Sequence, residues 1–255
     1  MIPKKIHYIW LGGKEEPKIL QKCKASWKKY CPEYEIIRWD ESNLNINCCE
    51  YCKNAYEAKK FAFASDVLRF DILSHEGGIY LDIDVELIKP IDDILDHKII
   101  CGFENGSYIA PGLILGCEKG NELIKELYDE YKTRSFATTP GMKNQVTICS
   151  IFTDKLKARG FKINNTLQEI DGIALFPSEY FCPKNMTDGR IKTTENTYSI
   201  HHYASTWVPK CVVFKNKMLQ FMKRILGEKL VNKLRRKKHA KESKSCQCDN
   251  SSLQS

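Results

Sequence analysis

No stretch of eighteen apolar residues occurs in this 255-residue chain, so no helix predicted from it is long and apolar enough to span a bilayer. Met1-Ile2-Pro3-Lys4-Lys5 runs directly into the strand-like Ile6-His7-Tyr8-Ile9-Trp10, without the long apolar segment and small-residue cleavage site of a secretory leader. The expectation is a cytoplasmic protein, staying on the side where it is made. No internal repeat is visible, which excludes a repeat array. The twelve cysteines lack the spacing of a small stapled module and are expected to be mostly reduced thiols. Cys49-x-x-Cys52 and Cys246-x-Cys248 could together offer four thiolates to zinc, but the second pair has one spacer residue where the usual pattern has two.

What is present is a core-forming sequence with its charge at one end. At this length a single large α/β core can be buried. Of the net charge of +8, a surplus of ten lies between Lys215 and Lys244, where twelve Lys or Arg face Glu228 and Glu242; the remainder carries −2. From about Phe214 to Leu234, Met218, Leu219, Met222, Ile225, Leu226, Leu230 and Leu234 recur at helical spacing with basic residues opposite them, which predicts a basic amphipathic helix over 211–238. Such a helix either docks on the core or lies on an anionic membrane surface, helped by Arg235-Arg236-Lys237-Lys238. Aromatics are sparse among these charges, which argues against nucleic acid. Residues 239–255 are expected to be a disordered tail.

Ile6 to Trp10 predicts a first strand, Pro17 to Tyr30 a helix with Ile19, Leu20, Cys23 and Trp27 on one face, and Glu35 to Trp39 a second strand. This strand-helix-strand start predicts a Rossmann-like sheet that binds ligands at the carboxyl ends of its strands, near His7 and Trp10. Ala55 to His75 predicts one long helix stopped by Gly77, with Phe61, Ala64, Leu68 and Ile72 as its apolar stripe. Ile99–Phe103, Ile109–Leu115 and Ser199–Tyr203 are further strand candidates. Helices are predicted over Asn121–Tyr131 and Gln145–Ala158. Residues 164–197 are rich in polar residues and turn signals, and no element is assigned to them.

Within this frame Tyr80-Leu81-Asp82-Ile83-Asp84 is the most informative stretch. Taken alone, Asp-x-Asp reads as a solvated turn, but Ile79, Leu81, Ile83 and Val85 make the run too apolar for a surface loop. On a strand, Asp82 and Asp84 would leave the backbone on the same side. Like charges that close repel unless a cation or proton lies between them, so a hard divalent ion that binds substrate phosphates is a plausible partner. Asp66 and Arg69 are three apart on the long helix in a largely apolar segment, which predicts a buried ion pair. His201-His202-Tyr203-Ala204-Ser205-Thr206-Trp207 offers an imidazole and a hydroxyl to complete a metal shell, or satisfied polar residues at a strand end.

Four motifs in this order, Ile6-His7-Tyr8-Ile9-Trp10, Ala64-Ser65-Asp66-x-x-Arg69, Gly77-Gly78-Ile79-Tyr80-Leu81-Asp82-x-Asp84 and His202-x-x-Ser205-x-Trp207, resemble glycosyltransferase family 32 over about residues 1–210. These are sugar transferases similar to capsular polysaccharide enzymes and, distantly, to the glucosyltransferase domains of large clostridial cytotoxins. The resemblance implies a GT-A type domain, an α/β fold whose mixed Rossmann-like sheet is flanked by helices. It implies that Trp10 stacks on the nucleotide base with His7 nearby, that Asp66 and Arg69 grip the donor sugar, and that Tyr80 contacts the donor. Asp82 reaches ribose and the metal's water shell, Asp84 ligates the metal directly, and His202 and Ser205 complete the ligand set. His201 is the less expected ligand, because its neighbour has the better spacing to Ser205 and Trp207. Trp207 donates to the glycosidic or β-phosphate oxygen, and Asn144 and Gln145 shape the sugar pocket.

The activity so implied moves a hexose from a UDP-sugar, UDP-galactose or UDP-glucose, to a hydroxyl of a glycan or glycolipid in surface polysaccharide synthesis, with Mn²⁺ or Mg²⁺ and retention. A metal-dependent phosphohydrolase with Asp82 as nucleophile is the rival, but Val85-Glu86 stands where such enzymes carry Gly-Thr. A nucleotide-sugar-binding protein without turnover is the other alternative.

Overall fold

The computed structural model describes residues 1–136, 147–204 and 210–233. Two compact units are present, one formed by residues 1–184 with 192–207, the other by 185–191 with the chain from 208 onward. In order, the elements are β1 (Lys5–Ile9), α1 (Lys18–Tyr30), β2 (Glu35–Trp39), α2 (Glu50–Glu57), α3 (Phe61–Glu76), β3 (Gly78–Tyr80), β4 (Val85–Leu87), β5 (Ile99–Glu104), β6 (Tyr108–Ile109) and β7 (Leu115–Cys117). There follow α4 (Glu122–Lys132), α5 (Ile148–Ala158), β8 (Gln168–Ile170), β9 (Ile173–Phe176), α6 (Ser178–Phe181), β10 (Ser199–His201) and α7 (Lys210–Leu226).

In the first unit the sheet runs β2-β1-β3-β7-β5-β9-β8, with β6 beside β5. Its opening half is parallel, β2 and β3 each pairing with β1; β7 then runs antiparallel to both β3 and β5. This is the mixed, Rossmann-like α/β sheet expected from the alternation of strand and helix. Both faces are covered. Alternation along each strand sends Tyr80, Cys101 and Phe103 to a core shared with α2, α3, α4 and α5. Ile6, Tyr8, Ile79 and Ile100 go to a second core with Leu20, Cys23 and Trp27 of α1 and Phe181 of α6.

Helix α1 does more than cover the sheet. Its buried Trp27 donates its indole N–H to the Val85 carbonyl at 2.8 Å, and Ser26 Oγ accepts from the Leu87 N–H at 3.0 Å. Both bonds hold β4, which pairs with β10 in a separate two-stranded ribbon.

The long helix expected over Ala55–His75 is two helices. At the end of α2, Lys59 adopts φ 56°, and its N–H and that of Lys60 return to the carbonyls of Tyr56 and Ala55 at 2.8 Å each. That double bond pattern terminates a helix, but glycine usually occupies the left-handed position, so a lysine there gives no sequence signal. The strand expected over Ile109–Leu115 is likewise interrupted: β6 ends at Ile109 and β7 begins at Leu115, with turns at Pro111 and Gly112 between them. Residues 164–197 supply β8, β9 and α6. In the second unit, α7 stops at Gly227 (φ 81°) and a further helical turn resumes over 228–233.

His7 locks the parallel edge. The Trp39 indole can only donate, and it reaches His7 Nδ1 at 3.0 Å, so Nε2 carries the hydrogen and donates to the Gly77 carbonyl at 2.8 Å. The ring therefore ties β1 to β2 and to the turn before β3, and a Cβ on Gly78 would sit 2.8 Å from Nε2. Burial pushes the ring's pKa from 6.5 down to about 4, so it is neutral at pH 7. Because the unfolded chain binds the proton more readily, His7 is expected to cost stability as pH falls from about 6.5 to about 4, by up to about 3 kcal/mol. Urea unfolding of the protein and of His7→Gln across this range checks it: the variant should lose that part of the pH slope.

Candidate active site

The Asp82–Asp84 motif lies at the carboxyl end of β3, in a turn and not within a strand. Leu81 N–H still bonds to His7 O at 3.1 Å and Asp82 N–H to Gly112 O at 3.0 Å, but Val85 N–H then folds back to Asp82 O at 3.0 Å. The turn is far from solvated. Asp84 is only 7 % exposed. Its Oδ2 accepts from the Ala204 N–H at 2.6 Å, its Oδ1 lies 3.1 Å from His201 Nε2, and its own carbonyl accepts from His202 N–H at 2.9 Å. Burial alone would raise the Asp84 pKa and lower that of His201. Their mutual attraction, with the Ala204 N–H, outweighs it, holding Asp84 below the usual carboxylate range and His201 above the usual imidazole range.

From the other side comes α3. Arg69 Nη2 donates to Asp66 Oδ1 at 2.8 Å, and Nη1 lies 3.5 Å from Asp82 Oδ1. Its Nε reaches the Ser65 carbonyl at 3.2 Å, and the guanidinium lies 4.6 Å from the centre of the Tyr80 ring. With its side chain 5 % exposed, Arg69 is a buried cation between two carboxylates, and the two motifs that carry them become one cluster. Burial and the nearby Asp82 charge push Asp66 up to about 7 against the pull of Arg69.

Asp82, Asp84 and His201 bring one ligand atom each to within 4.8 Å of one another. Two carboxylate oxygens and an imidazole nitrogen are ligands of the kind that hold a divalent cation. His201 Nδ1 is buried without a hydrogen-bond partner, an unmet need of the kind a buried ion-binding site leaves. The donor set therefore fits a divalent cation. His202, the ligand that the resemblance implies, turns instead to Glu86 at 2.7 Å, a carboxylate also held by Lys22. The reason is register: β10 pairs antiparallel with β4, His201 opposite Val85, and neighbouring strand residues point to opposite sides. Only one of the two histidines can face Asp84.

Two other expected donor contacts are buried. His7 has no exposed surface and both its nitrogens are engaged, and Tyr80, 2 % exposed, underlies Arg69 and has almost no surface to offer a donor. Both hold the frame on which the site stands. Trp10 lies half-buried just past β1 with its indole N–H on the Lys14 carbonyl at 2.7 Å. Asn144, Gln145, Ser205 and Trp207 lie outside the described residues.

Residues 17–100 match the family described as a glycosyltransferase sugar-binding region containing a DXD motif. Over that stretch the chain is similar to the DXD-containing glycosyltransferases. The matched stretch holds Asp66, Arg69, Asp82 and Asp84, whereas His201 comes from outside it. Among similar proteins, Subversion of eukaryotic traffic protein A of Legionella pneumophila is 25 % identical over 73 % of this chain and 38 % of its own length. This chain thus spans well under half of that relative. An uncharacterized glycosyltransferase, L373, of Acanthamoeba polyphaga mimivirus is 26 % identical over 87 % of this chain and 92 % of its own. A solved structure, the PaToxG glycosyltransferase, aligns at TM-score 0.48 and 21 % identity over 62 % of this chain and 69 % of that one.

Three residues of this site carry no motif. Gly112 faces Asp82 so closely that a Cβ would lie 2.1 Å from Oδ2. Tyr203, at φ 53°, sets its ring centre 4.1 Å from that of His201, the planes tilted by 44°, and donates its hydroxyl to Glu104 at 2.9 Å. Gly112 reads in sequence only as half of a Pro-Gly turn, and Glu104 and Tyr203 are joined only by the fold. Gly112→Ala is expected to displace the Asp82 carboxylate and weaken Mn²⁺ binding by about tenfold or more, with the circular dichroism spectrum unchanged. Titration followed by Mn²⁺ paramagnetic resonance measures this; unaltered affinity would separate Asp82 from the ion.

Proposed function

We propose that the chain transfers a hexose from a nucleoside diphosphate sugar, UDP-galactose or UDP-glucose, to a hydroxyl of a glycan or glycolipid acceptor, retaining configuration at the anomeric carbon, in surface polysaccharide synthesis. The observation that carries this reading is the meeting of Asp66 and Arg69 from α3, Asp82 and Asp84 from the turn after β3, and His201 from β10. A patch of three carboxylates, two of them against one buried guanidinium, suits a polyhydroxylated, pyrophosphate-bearing ligand that arrives with a cation.

Asp82, Asp84 and His201 would hold that divalent cation, with Ser205 added by the resemblance. When bound, it neutralises the charge that builds on the departing pyrophosphate. Arg69, tied to Ser65, Asp66 and Asp82, fixes both carboxylates in place, and their remaining lone pairs are positioned to accept from ribose and sugar hydroxyls. That fixed arrangement avoids reorganisation during the reaction. By the resemblance, the Trp207 indole supplies a donor to the leaving oxygen. Each carboxylate of the cluster already has a partner: Asp84 is engaged through both oxygens, and Asp66 and Asp82 each pair with Arg69 through one. This favours front-face attack by the acceptor hydroxyl, with its proton passing to the leaving phosphate and the new glycosidic bond replacing the one to the β-phosphate.

Asp84→Asn is expected to abolish both transfer and slow donor hydrolysis, by at least about a hundredfold, while leaving the unfolding transition cooperative. Calorimetric titration with UDP, with and without Mn²⁺, should show binding that requires the metal in the native chain and not in the variant. Undiminished activity in Asp84→Asn would remove this residue from the chemistry. A panel of UDP- and GDP-sugars tested for metal-dependent hydrolysis identifies the donor.

A further inference from the structure

Within the second unit, α7 is clasped along one side by its own surroundings. Gln220 Nε2 donates to the Met186 carbonyl at 3.0 Å, Arg190 reaches the Arg224 carbonyl at 3.3 Å, and the following helical turn buries Val231 and brings Glu228 to Lys223. Among the described residues, nothing is recorded against the other side. Phe214, Met218, Phe221 and Ile225, at spacings of four, three and four, form a continuous apolar stripe that is 70, 51, 62 and 64 % exposed. Large apolar groups exposed in a row mark an interaction surface, whereas scattered ones do not.

The charges beside the stripe select its partner. Helix α7 contains five Lys or Arg and no Asp or Glu. Lys217 and Arg224 are exposed and flank the stripe on one side, and Lys215 is exposed on the other. In sequence, Arg235-Arg236-Lys237-Lys238 continues the same sign shortly afterwards. A second copy of this helix, laid against the first, would bring the two rows of cations together without a compensating acid. An anionic bilayer instead accepts the aromatic and aliphatic side chains between its acyl chains and the cations among its headgroups.

We propose that α7 is an in-plane anchor that docks the protein on an anionic phospholipid surface through Phe214, Met218, Phe221 and Ile225. The anchor is independent of the donor reading above, because it uses no residue of the carboxylate cluster.

Sedimentation of the full chain with phosphatidylcholine vesicles, with and without phosphatidylglycerol, tests this. The chain should pellet with the anionic vesicles and stay in solution with the neutral ones. Phe214→Ser with Phe221→Ser should lower the bound fraction by about tenfold, both positions being exposed enough not to disturb folding. Lys217→Glu with Arg224→Glu should do the same, and the binding of the native chain should weaken as salt is raised. Calorimetric UDP binding should be unchanged in both double variants, which separates failure of the anchor from failure of the site. Equal pelleting of native chain and phenylalanine variant, or none of the native chain, would overturn the proposal. A native dimer by light scattering that the phenylalanine substitutions make monomeric, without vesicle binding, would overturn it in favour of self-association.

Discussion

A single buried guanidinium holds the first unit's chemistry together. Arg69 sits between Asp66 on its own helix and Asp82 on the turn beyond β3, with the Tyr80 ring beneath it and the Ser65 carbonyl behind it. Removing one member of such a set leaves an uncompensated charge in a region of low polarity, which is far costlier than the loss of an exposed pair. Helix α3 and the turn are thus held in one fixed relation, and the carboxylates gain their positions from it. The long, planar, always-charged side chain is what lets one residue serve two acids at once.

A second constraint acts from the opposite edge. Trp27 and Ser26 of α1 hold β4 by its backbone, and β4 holds β10, so the Asp84 contacts with His201 and Ala204 are set by a helix remote from the chemistry. His7 plays the matching part beneath the other end of the motif, joining Trp39 to the Gly77 turn. The cluster is therefore suspended between two rigid supports, each built from an aromatic N–H and a buried acceptor. In this cluster His201 Nε2 meets Asp84, and Nδ1 of the same ring is a buried side-chain atom left without a hydrogen-bond partner.

Much of this was legible in the sequence wherever a periodic pattern and a special residue coincided. Helix α1 and strands β1 and β2 follow from apolar spacing and Pro17, and the α3 stop follows from Gly77. The Asp66–Arg69 pair follows from a three-residue spacing inside an apolar segment. The mixed sheet that was expected is the one observed. What escaped sequence reasoning did so for definite reasons. Lys59 ends a helix in a conformation that its residue type does not advertise. Gly112 matters through a carboxylate thirty residues away. The choice between His201 and His202 is made by strand register, which adjacent identical residues cannot reveal. Ten cysteines lie among the described residues, each without a disulfide partner there; Cys246 and Cys248 fall outside them.

The contact between His201 and Asp84 spans 117 positions of the chain, whereas Asp66 and Arg69 are three apart. On a ribosome, the acidic half of the cluster emerges and neutralises itself locally, long before the imidazole is synthesised. Asp84 must then wait with its charge unmatched until β10 arrives, and the late ribbon closes the cluster only when nearly the whole first unit has been made. Closure of this centre is consequently a late step in the folding of the first unit, and a chain released before β10 lacks the imidazole that meets Asp84.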